Sequence, residues 1–434
     1  MWTHREWVER TRFTAIQLVT FVLIFGISVI RPTVTYRALE LGAGPTALGV
    51  IAASFALLSM VLAIPVGRLI DRSVPGTYIV IGTASMLVVA LVLMDANSLV
   101  LLALSQTALG MAHLVGALGC QTAIANGDPR RREMRFGNFA VAVSVGQLAG
   151  PAAATAILSG SMTVAVLSHH LGESATVFGL TAVIQFAGTL LALLAVTLDQ
   201  ERRRRRPAPA KIGVLSSVVT VMRARRVPTA IFASIAVVTT GDVLVAYLPA
   251  FGQDNGISIG AVGGLLSTMA GASIISRLAL RQLRRRIDVP PLLLIGTAAP
   301  AVLLALFPPA HSLALRYVLF ALAGLGIGVS QPLSMSWVAG SVPADLQATS
   351  LSIRLAGNRI AQVLIPLLVG VAASLMGLQV VFYGLSVLLF CAGMVVARGM
   401  WVSRQERLTG TPSAERPRPV YTPQISSKGP HSRS

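Results

Sequence analysis

Charged residues are scarce in this sequence, since only 12% of its 434 residues are Asp, Glu, Lys or Arg. Hydrophobic residues make up 54%, and the mean hydropathy is +0.75. A soluble protein of this length needs much more charge to cover its surface. The composition therefore excludes a soluble globular protein and predicts an integral membrane protein.

Cysteine is also nearly absent: Cys120 and Cys391 are the only two, and both lie in apolar runs, which excludes a disulfide framework. The sequence shows no spacing typical of a metal site, a nucleotide-binding loop or a nucleophile with its base. The pair His169–His170 stands alone and is weak as a metal site. We therefore expect no metal and no cofactor, and we do not expect an enzyme.

Acidic residues are outnumbered by basic ones, 16 against 35, which gives a formal net charge of +19. A nucleic-acid-binding domain gathers its basic residues on one soluble face. Here the basic residues form short clusters between apolar segments. We therefore expect them to meet the lipid bilayer, and we expect no nucleic acid as a partner.

Long apolar runs are abundant. A helix needs about 20 apolar residues to cross a bilayer. The sequence predicts twelve spans of this kind, of which 291–308 is the shortest. They lie at 13–36, 46–69, 77–95, 98–123, 137–160, 174–198, 229–252, 258–280, 291–308, 313–340, 349–375 and 378–400.

The distribution of Lys and Arg predicts the orientation of these spans. If both termini are cytoplasmic, 31 of the 35 basic residues fall in cytoplasmic segments. The reversed topology would violate the positive-inside rule. Arginine supplies 33 of the basic residues, which is typical of a GC-rich bacterial genome. We expect a multi-pass protein of a bacterial inner membrane with both termini in the cytoplasm.

The two groups of six spans repeat short patterns. "IGT" at 81–83 recurs at 295–297, and "GQLAGP" at 146–151 has a partner, "AQVLIP", at 361–366. The repeats predict two pseudo-symmetric six-helix halves with a binding site between them, near the membrane midplane. The predicted division is 1–198 for the first half, 199–228 for a basic cytoplasmic linker, 229–401 for the second half and 402–434 for a disordered tail.

With these features the chain resembles the major facilitator superfamily over nearly its whole length. After the second span, "GRLIDRSVPG" matches a family loop pattern at Gly67, Asp71 and Arg72. The resemblance implies a monomer with a cytoplasmic latch at this loop. From the residues themselves, we expect Gly67 to allow close helix packing and Asp71 to cap a helix or pair with Arg. A generic charged turn is the alternative.

The fifth span resembles a pattern of the family's proton antiporters. Its last two glycines are replaced, but four positions fit: Gly137, Gly146, Gly150 and Pro151. A glycine face permits close helix packing, and the proline bends the helix. The resemblance implies export of the substrate. A small-residue packing helix is the alternative.

Asp242, within the apolar stretch "AVVTTGDVLVAYLPAF", is the only acidic residue predicted at membrane depth. A charge there costs about 2.5–3.5 kcal/mol even on the lenient scale, so it has to face a cavity or a partner. Many family antiporters carry Arg in span four for proton transfer, but Gln106 occupies that position here. Asp242 is therefore the candidate for proton coupling, and a structural ion pair is the alternative.

Arg31 is the candidate partner of Asp242. The offset of 214 residues between the halves places Arg31 opposite Val245, one helical turn from Asp242. We expect a bridge between spans one and seven. The alternative is that Arg31 extends to the outer membrane interface.

Span eleven carries a polar stripe, Arg354, Asn358 and Gln362, at four-residue spacing, with Arg359 beside it. Arg359 either lines the cavity or packs against the first half, and Arg354 is expected near the cytoplasmic end, where an anchoring role is the alternative. His113 in span four is either a proton relay or a packing histidine. Other polar candidates whose helix face the sequence does not determine are Gln121, Gln147, Gln185, Tyr247, Gln331 and Trp337.

Together these features predict an all-α membrane protein with twelve transmembrane helices. We predict a secondary transporter that exports a small organic molecule against proton entry by alternating access. One alternative is a proton-coupled importer of a small organic anion, attracted by Arg31 and Arg359. Another is a non-transporting sensor on the same fold.

Overall fold

The computed structural model of the protein describes residues 4–71, 73–125, 132–160, 172–197, 221–222, 227–341 and 347–409. Twelve long helices account for most of these residues. They are α1 His4–Glu40, α2 Pro45–Asp71, α3 Pro75–Met94, α4 Leu99–Ala125, α5 Arg132–Leu158, α6 Glu173–Thr197, α7 Val227–Asp254, α8 Ile259–Leu283, α9 Val289–Ala305, α10 Leu313–Gly340, α11 Gln347–Met376 and α12 Gln379–Thr409.

The helices form where the apolar runs lie, and proline or glycine stands at several of their ends. Pro45 and Pro75 begin α2 and α3, where a missing backbone N–H is harmless. Gly42 and Gly377 adopt positive φ values of 79° and 87° in the tight connections after α1 and α11. Only glycine adopts this conformation without strain, so these connections stay short.

Eleven of the described helices are long and apolar enough to cross a membrane. The remaining one, α9, is apolar but has only 17 residues. It occupies the position of the shortest predicted span. The prediction of an all-α membrane protein with twelve helical segments is confirmed.

Two helices extend furthest beyond their predicted spans. α1 begins at His4 and α12 continues to Thr409, past the predicted boundary at 401. Neither extension contains glycine or proline at a position that would stop the helix. The first part of the predicted tail is therefore helical. The rest of it, and nearly all of the predicted linker 199–228, lie outside the described residues.

The helix contacts repeat between the two groups of six. In the N-terminal half, α1 packs against α5 and α6, and α3 against α4 and α6. In the C-terminal half, α7 packs against α11 and α12, and α9 against α10 and α12. Between the halves, α2 packs against α11 and α5 against α8, which is again an equivalent pair. These repeated contacts are the structural form of the pseudo-symmetry.

Successive helices run in opposite directions. With twelve of them, the start of α1 and the end of α12 lie at the same end of the bundle, here called the terminal end. The opposite end is called the far end. Two junctions join the halves near the far end: α2 meets α11 around Gly49 and Gly370, and α5 meets α8 around Thr155 and Gly263.

Candidate functional site

A cavity of about 410 Å³ lies between the halves, within the common size range of ligand pockets, about 300–1,000 Å³. Most of its lining is apolar or neutral. Its charged groups come from four helices and are Arg31, Asp242, Arg277, Arg354 and Arg359.

Asp242 lies at the centre of a polar network in this cavity. Arg31 Nη1 of α1 pairs with Asp242 Oδ1 of α7, and Gln362 Nε2 of α11 donates a hydrogen bond to Oδ2. The two ionic side chains are only 15% and 17% exposed. Both carboxylate oxygens therefore have a donor, and the ion pair joins the N-terminal half to the C-terminal half.

Two further cation contacts extend the network. Arg359 Nη1 donates to Gln362 Oε1 at 3.1 Å, so Arg359 reaches the carboxylate through one amide. The Arg31 guanidinium lies 4.7 Å from the centroid of the Phe55 ring, a distance typical of a cation–π contact. These contacts fix Arg31 from two sides and place Arg359 within the cavity.

His113 and Gln147 of the N-terminal half also line the cavity. The His113 ring lies 6.3 Å from the Phe55 ring, and its Nδ1 atom is buried without a hydrogen-bond partner. A buried polar nitrogen without a partner is uncommon in folded proteins. His113 is therefore placed beside the network but is not hydrogen bonded through Nδ1.

A second basic group lies nearer the terminal end of the cavity. Arg277 Nη2 of α8 donates to Gln331 Oε1 at 3.3 Å, and Arg354 Nη2 of α11 donates to Ser334 Oγ at 3.2 Å. Gln331 and Ser334 lie one turn apart on α10. Arg277, Arg354, Gln331 and Ser334 are referred to below as the arginine cluster.

The cavity carries an excess of positive charge. Four guanidinium groups line it against the single carboxylate of Asp242. Asp242 is paired with Arg31, and the arginine cluster meets only neutral oxygen atoms in the contacts given above. The field in this space therefore attracts negative charge.

Tyr247 is not a cavity residue, contrary to the prediction. Its side chain is 0% exposed and lies at the junction of α2 and α11. The hydroxyl is 3.2 Å from the Pro45 carbonyl oxygen and 3.0 Å from that of Pro366. The apolar sequence around Tyr247 did not reveal which face of α7 it occupies, and the structure shows a face that packs between the halves.

Two glycines do not make the close contacts that the sequence predicted. Among the residues that the structure describes, none would lie within 4 Å of a Cβ atom at Gly67 or Gly137, so no described helix packs tightly there. The side chain of Asp71 and all of Arg72 lie outside the described residues. The predicted latch at this loop stays a prediction.

Gly146 and Gly150 do bring α5 close to α1. A Cβ at Gly146 would lie 2.9 Å from the backbone nitrogen of Phe25, and one at Gly150 would collide with Ser28. Pro151, at the next position, lines the cavity. This face of α5 is therefore occupied by a helix of the same half.

The opposite face of α5 meets α8 of the other half. Thr155 occupies one of the replaced glycine positions, and a Cβ at Gly263 of α8 would collide with its side chain. The small residue at this junction is thus on α8. Close packing is retained because glycine on the facing helix makes room for the threonine.

Arg277 is the cavity residue that sequence reasoning missed. The predicted eighth span, 258–280, includes Arg277, but we did not name it as a cavity candidate; it lies inside α8. Ser273 and Met269, four and eight residues earlier, line the same cavity. That four-residue spacing is the signal that identifies its face. Among the other polar candidates, Gln331 lines the cavity and the buried Gln185 bonds to Val22 of α1.

Comparison with known proteins gives one family. The model described as Major Facilitator Superfamily matches residues 16–354 and 291–430. No curated protein matches the chain in sequence.

Several solved structures share the fold. A bacterial homolog of the human lysosomal transporter Spinster, in an inward-facing and unoccupied conformation, has a TM-score of 0.70 at 15% identity, covering 93% of this chain and 98% of its own. The nucleoside transporter NupG has a TM-score of 0.71 at 14% identity, covering 89% and 99%. A POT family transporter in complex with 5-aminolevulinic acid has a TM-score of 0.71 at 14% identity, covering 91% and 96%.

Proposed function

The chain belongs to the Major Facilitator Superfamily, and on that premise we propose that it carries a small organic anion across a bacterial inner membrane together with protons. The mechanism is alternating access to the cavity between the halves. The observation that carries the proposal is the ion pair of Arg31 and Asp242, which joins the two halves inside that cavity.

Asp242 is the proposed proton acceptor. Protonation removes its negative charge, so Arg31 loses its ionic partner and the attraction between α1 and α7 weakens. Deprotonation restores the pair. Because Gln362, which itself accepts a hydrogen bond from Arg359, donates to the other carboxylate oxygen, Asp242 stays in place while Arg31 is released. Proton binding thereby changes the contact between the halves.

The proposed topology has both termini in the cytoplasm. The positive-inside rule supports it, since 31 of the 35 basic residues of the sequence fall in segments that this topology assigns to the cytoplasm. With this orientation the junctions at the far end close the outer side, and the cavity extends toward the cytoplasm as far as Arg277 and Arg354. The similar bacterial Spinster homolog was solved in an inward-facing conformation, which supports an inward-facing assignment here.

The charge of the cavity supports movement of proton and anion in the same direction. Four guanidinium groups attract an anion, and protonation of Asp242 makes the cavity more positive still. Each ligand therefore increases the affinity for the other. An inward proton gradient then drives uptake of the anion.

Export in exchange for protons is the second candidate. It is supported by the α5 helix, whose Gly146 and Gly150 pack against α1 as expected for the antiporter pattern. In an exchanger the proton and the substrate exclude one another. The two candidates therefore differ in the sign of the coupling.

The test is proton movement in liposomes that contain the purified protein and an internal pH dye. Benzoate, succinate, glycerol phosphate and choline are applied in turn as gradients. We expect an inward gradient of an anion to acidify the lumen and Asp242→Asn to abolish this effect. Alkalinisation by an inward gradient of the substrate would support exchange instead. Unchanged proton movement in Asp242→Asn would remove Asp242 from the mechanism.

A further inference from the structure

The arginine cluster lies apart from the Asp242 network, and the residues that hold it all belong to the C-terminal half. Besides its contact with Gln331, Arg277 donates from Nε to the Gly328 carbonyl oxygen at 3.3 Å. Ser334, the partner of Arg354, donates its own proton to the Gln331 carbonyl oxygen at 2.8 Å. One face of α10 therefore anchors both guanidinium groups within two helical turns.

Among the residues that the structure describes, neither Arg277 nor Arg354 forms an ion pair with a carboxylate. Arg354 is only 2% exposed, and its buried Nε atom has no hydrogen-bond partner. An unpaired buried charge is strongly unfavourable, so a protein retains one where a bound ligand neutralises the charge.

An anchoring role at the membrane surface does not account for this arrangement. An anchoring arginine extends its guanidinium into the headgroup region. Arg284, Arg285 and Arg286 follow α8 and are exposed in that manner. Arg354 is buried instead, and with Arg277 it lines the cavity.

We propose that the arginine cluster is the binding subsite for an acidic group, a carboxylate or a phosphate, of the transported molecule. The inference rests on the proposed function, because it takes the cavity to be the path of the substrate. Guanidinium groups suit planar or tetrahedral oxyanions, since each presents parallel N–H donors. Gln331 and Ser334 orient the two guanidinium groups, and the Nε atom of Arg354, which has no hydrogen-bond partner, supplies a further donor.

The location of the subsite assigns it a part in transport. All four residues of the cluster belong to α8, α10 and α11, so movement of one half against the other leaves the subsite whole. The ion pair of Arg31 and Asp242, by contrast, crosses between the halves. The acidic group therefore stays with the C-terminal half through the cycle, while the Arg31 side opens and closes around the rest of the molecule.

The test is the shift in unfolding temperature of the purified, delipidated protein with benzoate, succinate, inorganic phosphate or glycerol phosphate, since a ligand of the folded state raises its stability. We expect at least one of these anions to stabilise the protein and choline to have no effect. Arg277→Gln and Arg354→Gln should each raise the apparent Kd for that anion about tenfold or more, as expected for loss of a charge-assisted hydrogen bond. The matched control, Arg285→Gln, removes an exposed charge from the same end and should bind as the unmodified protein does.

The variants and ligands distinguish the proposed subsite from its alternatives. Lysine variants at 277 and 354 keep the charge but lose the fork, so they serve if a glutamine variant does not fold, and they should show the same loss of affinity. Undiminished anion binding by the variants, or an equal loss in Arg285→Gln, would overturn the subsite. Stabilisation by short-chain phosphatidate and by no soluble anion would overturn it as well. If the subsite binds as expected and Asp242→Asn still couples protons, the proposed proton mechanism fails and the subsite stands.

Discussion

The two halves of the protein use the same helix contacts but contribute unequal chemistry to the cavity. The N-terminal half supplies one charged group, Arg31, with His113, Gln147 and Phe55 around it. The C-terminal half supplies the only carboxylate of the lining and the other three guanidinium groups. The shared architecture therefore does not impose shared chemistry.

The difference shows which interactions determine the fold and which serve recognition. Close packing of small residues, such as Gly146 and Gly150 against α1, requires only shape. Charged groups inside a membrane protein are unfavourable for folding, so their concentration in one half reflects function. We interpret the C-terminal half as the recognition half and α1 as the helix that responds to it.

The largest effect is expected from reversing the central ion pair. Arg31→Asp leaves two acids facing one another and Asp242→Arg two bases, so either variant should lower transport about a hundredfold, which corresponds to about 3 kcal/mol. The double variant restores a pair but places the acid in the N-terminal half, away from Gln362. We expect it to recover thermal stability without proton coupling. Full recovery of coupled transport in liposomes would show that the half carrying the acid is immaterial.

A smaller effect is expected at the junction of α5 and α8. Gly263→Ala adds a methyl group where Thr155 already packs, and such overpacking costs about 1–3 kcal/mol. We expect a lower unfolding temperature and wider separation of the halves at the far end. The exchange Thr155→Gly with Gly263→Thr tests whether one small residue on either helix suffices. If the double variant is no more stable than Gly263→Ala, the small residue at this junction has to lie on α8.

Tyr247→Phe should act more weakly at the other junction. It removes the hydroxyl that contacts the Pro45 and Pro366 carbonyl oxygens, a loss of about 1 kcal/mol. We expect the far end to open in a larger fraction of molecules, about fivefold. Electron–electron distance measurements between spin labels at Gly44 and Met376 report this opening. An unchanged distance distribution would mean that packing alone closes the junction.

His113→Phe is expected to have the smallest effect. Because His113 Nδ1 has no hydrogen-bond partner and the ring lies near Phe55, a phenyl ring fills its place with little loss. Proton-coupled transport should stay within about threefold of the unmodified rate, less than 1 kcal/mol. Abolished coupling with normal substrate binding would instead make His113 a second proton carrier in the N-terminal half.

The sequence predicted the helices well because apolar length and interrupting prolines and glycines determine them locally. It also indicated Asp242 and Arg31, since a lone charge in an apolar run needs a partner. It did not predict Arg277 as a cavity residue, because a basic residue near the end of a predicted span is usually expected at the membrane surface.

The remaining differences between prediction and structure arise because the sequence shows neither which face of a helix points inward nor which helices are in contact. Tyr247 was only a candidate for the cavity, because nothing local distinguishes the faces of an apolar helix. Gly67 and Gly137 match family positions, yet no helix in the described part of the chain approaches them. Thr155 replaces a glycine of the family pattern, and Gly263 on the facing helix makes room for its side chain. The sequence alone does not show this compensation, because it depends on which two residues face each other.

The short helix α9 has a consequence for the surrounding bilayer. Seventeen residues span about 25 Å, whereas the hydrocarbon layer is about 30 Å thick. Ile295 and Val302 are more than half exposed on its surface, as expected for a helix that faces lipid. A span shorter than the hydrocarbon layer is accommodated by local thinning of the bilayer, among other ways. We therefore expect the acyl-chain length of the surrounding lipids to affect the C-terminal half, which contains the arginine cluster.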